Sequence, residues 1–205
     1  MTHLSGGTPV PGKRTRDPKG TRERLVRAAL ELFTTEGYHA STTPLIAARA
    51  GIAEGTIYRH FESKEQLLNE IYRAAVRLLA ATVTESSTTP VCRERLNRIA
   101  LIWQELARAN PPLIKLVFST DTEGLLDSRS RLAFANMVAE LEMVIAAGKS
   151  VGQVRAGSAR IWADVWLRLV VLVLERTASD EWPADHPAPQ QVLASAWAAI
   201  AAVTP

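Results

Sequence analysis

Apolar residues recur with helical spacing along most of the chain. Leu25, Ala28, Ala29, Leu32 and Phe33 fall at i, i+3, i+4, i+7 and i+8, which predicts a first helix from Thr21 to about Glu36 with one buried face. Gly37 follows as a stop that tolerates positive φ. Thr42 is placed to cap a second helix, Pro44 fits its first turn, and Ile46 and Ala50 face inward. Gly51 makes a turn, Ile52 plugs it, and a third helix runs from about Glu54 to Phe61. Ser63-Lys64-Glu65-Gln66 is a capping box that opens a long fourth helix, with an inner stripe at Leu67, Ile71, Ala74, Ala75 and Leu78. Further helices are predicted over Val91–Ala109 (Leu96, Ile99, Ala100 and Trp103 inward), from Pro111 to Ser119, over Ser128–Ala147 (Leu132, Phe134, Met137, Val138 and Leu141 inward), over Ser158–Ala178, and from Gln190 to Val203. No stretch alternates with period two, so the predicted class is all-α.

Composition narrows this picture. Of 205 residues, 47% are apolar, enough for a packed core. The net charge of +3 is unevenly placed. Lys13 to Arg77 carries twelve basic against eight acidic residues, whereas the remainder carries twelve against thirteen. A basic front on a near-neutral body suits a polyanionic partner at the front. A single cysteine, Cys92, allows no internal disulfide and points to a reducing compartment. Met1 to Gly12 has no apolar core of a signal peptide, and Val165 to Leu174, interrupted by Arg168, is too short for a bilayer, so a cytoplasmic protein without membrane association is expected. Lys13 to Lys19 forms a basic arm within a predicted mobile tail, residues 1–20.

The second and third predicted helices carry the chemistry. A helix that enters a DNA groove needs small residues at its start, and Gly55 and Thr56 meet that need while their amides favour a phosphate. It also needs side chains that reach base edges and phosphates. Arg59 is the candidate for base readout, because a guanidinium pairs bidentately with guanine. Tyr58 and His60 are candidates for positioning on phosphates. Lys64 at the start of the fourth helix and Thr43 at the start of the second can do the same. The plain alternative is a helical hairpin that only packs.

The run Thr42 to Leu67 resembles the TetR (tetracycline repressor) family of bacterial regulators, with its pattern T-x-x-x-I-A-x-x-A-G-V-S-x-G-T-x-Y-x-H-F-x-S-K-E-x-L. The match holds at Thr42, Ile46, Ala47, Ala50, Gly51, Gly55, Thr56, Tyr58, His60, Phe61, Ser63, Lys64, Glu65 and Leu67. Two positions depart from it. Ala53 stands where the cap serine of the third helix is usual, which costs about 1 kcal/mol locally. Glu54 either accepts from a cytosine amine or faces solvent. The resemblance implies a three-helix DNA-binding head with a helix-turn-helix, residues 21–66, and a C-terminal helical bundle for ligand binding and dimerisation, residues 67–205. It implies a homodimer built on the last two helices. Val165 to Leu174, with one charge in ten residues, supports this independently, although a central helix within one subunit is the alternative. It also implies a small-molecule pocket in the bundle, for which Trp103, Phe118, Phe134, Met137, Trp162 and Trp166 supply aromatic and soft apolar surface. The expected ligand is a hydrophobic or aromatic effector.

The expected partners are therefore a double-stranded DNA operator, an effector and a second copy of the chain. No catalytic residue, metal site or cofactor is expected: His3, His39, His60 and His186 are scattered, and neither a G-x-S-x-G nor a phosphate-binding glycine loop is present. The function expected is a ligand-responsive repressor on a palindromic operator. An activator or a sequence-tolerant architectural DNA binder of the same fold are the alternatives.

Overall fold

The computed structural model describes residues 18–86 and 91–202. Residues 1–17, which include most of the predicted basic arm, and residues 87–90 lie outside the described part. The described residues form α1 (Pro18–Thr35), α2 (Thr43–Arg49), a 3₁₀ segment (Glu54–Arg59), α3 (Lys64–Glu85), α4 (Cys92–Ala109), α5 (Pro111–Phe118), a 3₁₀ turn (Thr120–Leu125), α6 (Ser128–Ser150), α7 (Ala159–Ala178) and α8 (Ala188–Ile200).

The boundaries follow local chemistry. Gly37 takes φ +87° after α1 and Gly51 takes φ +66° after α2, left-handed values that a side chain disfavours. The Thr42 hydroxyl accepts from the Leu45 amide, and Ser63 accepts from the Gln66 amide at 3.1 Å. The Gln66 side chain turns back to accept from the amide of Glu62. Asp127 caps α6 by accepting from the Ser130 amide at 2.7 Å. Pro111 and Pro112 restart the chain at α5, where the first-turn amides need no helical acceptor.

In packing, α3 lies along α6, α7 packs on α8, α6, α4 and α5, and α1 rests on α2, α3 and α5. Leu25, Leu32, Leu68, Leu79, Ile99, Trp103, Met137, Ile145 and Ala196 are fully or almost fully buried in one contiguous apolar core that runs from α1 to α8. Within it the Trp103 indole N–H donates to the Thr82 hydroxyl at 2.7 Å. A polar knot ties α3 to the start of α6: buried Asn69 donates to the Leu125 carbonyl at 3.2 Å and accepts from the Asp127 amide at 2.8 Å. Arg73 pairs with Asp127 at 2.9 Å beside it.

Three predicted core positions are corrected. Leu132 is 60% exposed, and Leu78, at 44%, and Ala74 also face out. On α3, Leu67, Ile71 and Ala75 of the predicted stripe are buried, and the buried face extends over Leu68, Tyr72, Val76, Leu79 and Val83 in place of Ala74 and Leu78. The amphipathic period cannot distinguish two adjacent apolar ridges when both are available. The third helix is 3₁₀ rather than α, and α6 runs to Ser150, through Gly148.

The C-terminal end is hooked onto the α6–α7 connection. The Arg155 amide donates to the Ile200 carbonyl and the Ala202 amide to the Gln153 carbonyl, both at 2.9 Å. The Arg155 guanidinium reaches the carbonyls of Ala201 and Ala198, each at 3.2 Å. The Gln153 side chain in turn accepts from the Cys92 amide at 2.8 Å, so the hook reaches the start of α4.

Candidate nucleic-acid interface

The 3₁₀ segment is anchored from below by two apolar side chains four residues apart. Ile57 and Phe61 are each 2% exposed and enter the core beside Ile46. That fixes the orientation of what lies between them. Tyr58 is 55% exposed and Arg59 is exposed, while Thr56 and His60 are half-buried. Gly55 sits in open space at the start of the segment, so the backbone there can be approached closely. Ala53 provides no side-chain cap, as its sequence predicts, and Glu54 is exposed in the first turn.

Tyr58 and Thr43 are brought together across the turn, with their hydroxyl oxygens 3.0 Å apart. The 3₁₀ segment and the start of α2 thus share one polar edge. Lys64 stands differently from the expectation of a freely extended cation. Its ammonium donates to the Tyr38 carbonyl at 2.9 Å and lies 4.1 Å from the centre of the Tyr38 ring. An ammonium has three donors, so this anchor leaves others for a phosphate. Arg49, on the exposed face of α2, is engaged by Glu31 of α1. Arg22 of α1 pairs with Glu70 and covers the Phe61 ring at 5.0 Å. Among the described residues of α2 and the 3₁₀ segment, Arg49 is thus paired, and Arg59 is exposed and makes no ion pair.

Tyr38 is the residue that sequence reasoning missed. Its hydroxyl is buried on the side of Glu65. Burial, and then the Glu65 carboxylate beside it, push its pKa above the tyrosine range. It lies under Lys64 across 26 positions of sequence, a contact that no local periodicity encodes.

The aromatic set predicted for a ligand pocket divides. Trp103 sits 6.4 Å from both Phe118 and Trp166, and Phe118 sits 6.2 Å from Phe134, ring centre to ring centre. Trp103, Met137 and Trp166 are buried and fill the core, whereas Phe118 and Phe134 are half-buried at its edge. Trp162 is not with them. It packs on the Arg155 guanidinium at 5.5 Å and donates to the Ala156 carbonyl at 3.2 Å, beside Gly157. A cleft of about 1090 Å³ opens elsewhere, between α1, α5 and the end of α7, and takes only Phe118 from the set. Among the described residues, no helix is long and apolar enough to cross a membrane, and no group of three potential metal ligands occurs.

Against known proteins, residues 25–71 match the model of the bacterial regulatory proteins of the tetR family. The chain is 30% identical over 176 residues to the HTH-type transcriptional repressor KstR of Rhodococcus jostii, covering 78% of this chain and 76% of KstR. It is 30% identical over 118 residues to the HTH-type transcriptional activator FasR of Mycolicibacterium smegmatis, covering 57% of this chain and 53% of FasR. With other curated relatives the match spans about a third of their length. Among solved structures, a TetR family transcription regulator from Marinobacter aquaeolei VT8 superposes with a TM-score of 0.77 at 19% identity, over 90% of this chain and 97% of that one.

Proposed function

The chain belongs to the TetR family of bacterial transcriptional regulators, and from that premise we propose that it is a ligand-responsive repressor that binds a palindromic operator as a homodimer in the cytoplasm. One observation carries the reading. Tyr58 and Arg59 stand exposed between two buried anchors, Ile57 and Phe61, with Thr43 joined to Tyr58 at the same edge. In this reading Arg59 reads a base, and Thr43, Gly55, Thr56, Tyr58, His60 and Lys64 hold the segment on phosphates.

Dimerisation rests on α7 and α8. Ile161 is 57% exposed, and Val165, Leu169 and Leu172 are half-buried, at i, i+4, i+8 and i+11 on one ridge of α7. A second copy that covers this ridge and the half-buried Leu193 and Trp197 of α8 places two reading segments in successive major grooves, about 34 Å apart. The head of this reading, residues 21–66, borders a body, residues 67–205, in which a hydrophobic or aromatic effector inserts at the edge formed by Phe118 and Phe134, with Trp103, Met137 and Trp166 behind them. To reverse a 1:99 preference between DNA-competent and incompetent states, the effector must favour one state by about 5.5 kcal/mol.

The test is selection of DNA fragments by the purified protein, followed by gel-shift titration of the selected site. Arg59→Ala is expected to weaken binding by about 1–3 kcal/mol and to relax preference at one base pair per half-site. Unchanged affinity and preference refute the assignment. The likeness to FasR keeps an activator as the second reading, and transcription from the selected promoter with and without the protein separates the two.

A further inference from the structure

We propose that Tyr38 is a positioning residue of the DNA interface: it holds the Lys64 ammonium where a phosphate is taken, and so contributes to affinity for any DNA sequence alike without touching the DNA itself. The inference rests on the reading of Lys64 as a phosphate contact, and it adds to that site a residue that lies outside the matched run and beneath the surface, at 9% exposure.

Tyr38 meets Lys64 twice. Its backbone carbonyl accepts from the ammonium at 2.9 Å, and its ring centre lies 4.1 Å from the same nitrogen, so a hydrogen bond and a ring–charge attraction act on one atom. Tyr38 is itself fixed from other sides. Gly37 turns the chain just before it at φ +87°. The amide of the fully buried Ser41 donates to the Gly37 carbonyl at 3.2 Å and to the Tyr38 carbonyl at 3.3 Å, and the Ser41 hydroxyl closes the same turn on Gly37 at 2.7 Å. Phe33 of α1 packs on the Tyr38 ring at 5.3 Å between centres. A lysine on an open surface gives up the freedom of its flexible stem when it binds a phosphate. Here that loss is taken at folding, and DNA meets a cation already in place. The carbonyl takes one of the three ammonium donors and the ring covers one side, which leaves the other side for a phosphate at the start of α3, where the helix N-terminus also favours an anion. Glu65, the neighbouring carboxylate, lies beside the Tyr38 and Ser63 hydroxyls.

The test is a double-mutant cycle in gel-shift titration of the full-length protein, on the selected site and on an unrelated duplex. Tyr38→Leu removes the ring but keeps the carbonyl and an apolar side chain against Phe33, and its melting temperature reports whether the fold is kept. It is expected to weaken binding to both duplexes alike, by about five-fold. Tyr38→Phe keeps the ring and is expected to bind like the parent. In a Lys64→Gln background, Tyr38→Leu is expected to change nothing further. A loss of the same size in that background marks a merely structural role and overturns the proposal, as does parental or tighter binding by Tyr38→Leu, or failure of Tyr38→Phe to restore affinity. A second measurement needs no variant of Tyr38. The proton resonances of the Lys64 ε-methylene group, identified by their loss in Lys64→Gln, are expected upfield of those of the other lysines, and to stay there in the DNA complex. Their return to the ordinary position on binding means that the lysine leaves the ring, and overturns the proposal. Loss of base preference in Arg59→Ala with parental affinity in Lys64→Gln keeps the DNA reading and removes this inference. Unchanged behaviour of Arg59→Ala removes the base-reading assignment, while the Tyr38–Lys64 cycle is still read on the unrelated duplex.

Discussion

Gly148 is a point of closest approach between α6 and the start of α4. A Cβ built there lies 2.6 Å from the Cys92 sulfur and 2.7 Å from its Cβ, closer than packed carbons come. Gly148→Ala is therefore expected to lower stability by about 1–3 kcal/mol despite the better helix propensity of alanine, read as a fall in melting temperature. Thr82→Val removes the hydroxyl that accepts the Trp103 indole N–H and is expected to cost about 1 kcal/mol in denaturant titration. At this scale the sequence was readable where neighbours decide the outcome. Tyr58 and Arg59, read as groove-facing from the run around Gly55, are exposed between the buried Ile57 and Phe61. The anchoring of Lys64 by Tyr38, the engagement of Arg49 by Glu31 and the closeness of Gly148 to Cys92 depend on chain segments far apart, and no local pattern carries them.

Among the elements, the 3₁₀ segment starts without a side-chain cap. Ala53 adopts φ −69° and ψ 141°, the extended backbone of an N-cap, but has no oxygen to accept from the segment's amides. Ala53→Ser is expected to raise stability by about 0.5–1 kcal/mol in a urea titration, since the backbone already has the required geometry. Caps and breakers made most element boundaries legible: Thr42, Ser63 and Pro111 each mark a helix start that the structure places within a residue or two. The face of a helix was less legible. Apolar residues extend around more of α3 than the packed face takes up, and the burial of Leu79 and Val83 leaves Leu78 outside. Leu132 lies outside for a similar reason, on a helix whose apolar residues are spread around its circumference.

The whole molecule is held by one core that passes from α1 through α3 to α7 without a break. Its response to alkali follows from buried acids, Tyr38 among them. Burial pushes the Cys92 thiol up to about 11, against a smaller opposing pull from Arg95, and pushes the Tyr72 hydroxyl up to about 12, with Glu123 adding to it. Both folded pKa values lie above the unfolded ones, so their contribution is complete at neutral pH. It is lost as pH rises, first from about 9 through the cysteine and then from about 10 through the tyrosine. The expected outcome is a melting temperature that begins to fall near pH 9, with the onset delayed towards pH 10 in Cys92→Ala. For the assembly, Leu169→Arg on the open ridge of α7 is expected to convert a dimer into monomers in sedimentation velocity, with the helical content unchanged. A parent that already sediments as a monomer refutes that reading.

The hook at the C-terminal end has a practical consequence. Arg155 grips carbonyls at Ala198, Ile200 and Ala201, and Gln153 holds both Ala202 and the first residue of α4. Shortening the chain to before Ala198 would therefore loosen two helices at once, one of them far from the cut. Affinity handles and fluorescent fusions belong after Ala202, joined through a spacer, because a bulky partner fused any earlier would have to prise the clasp open to fit.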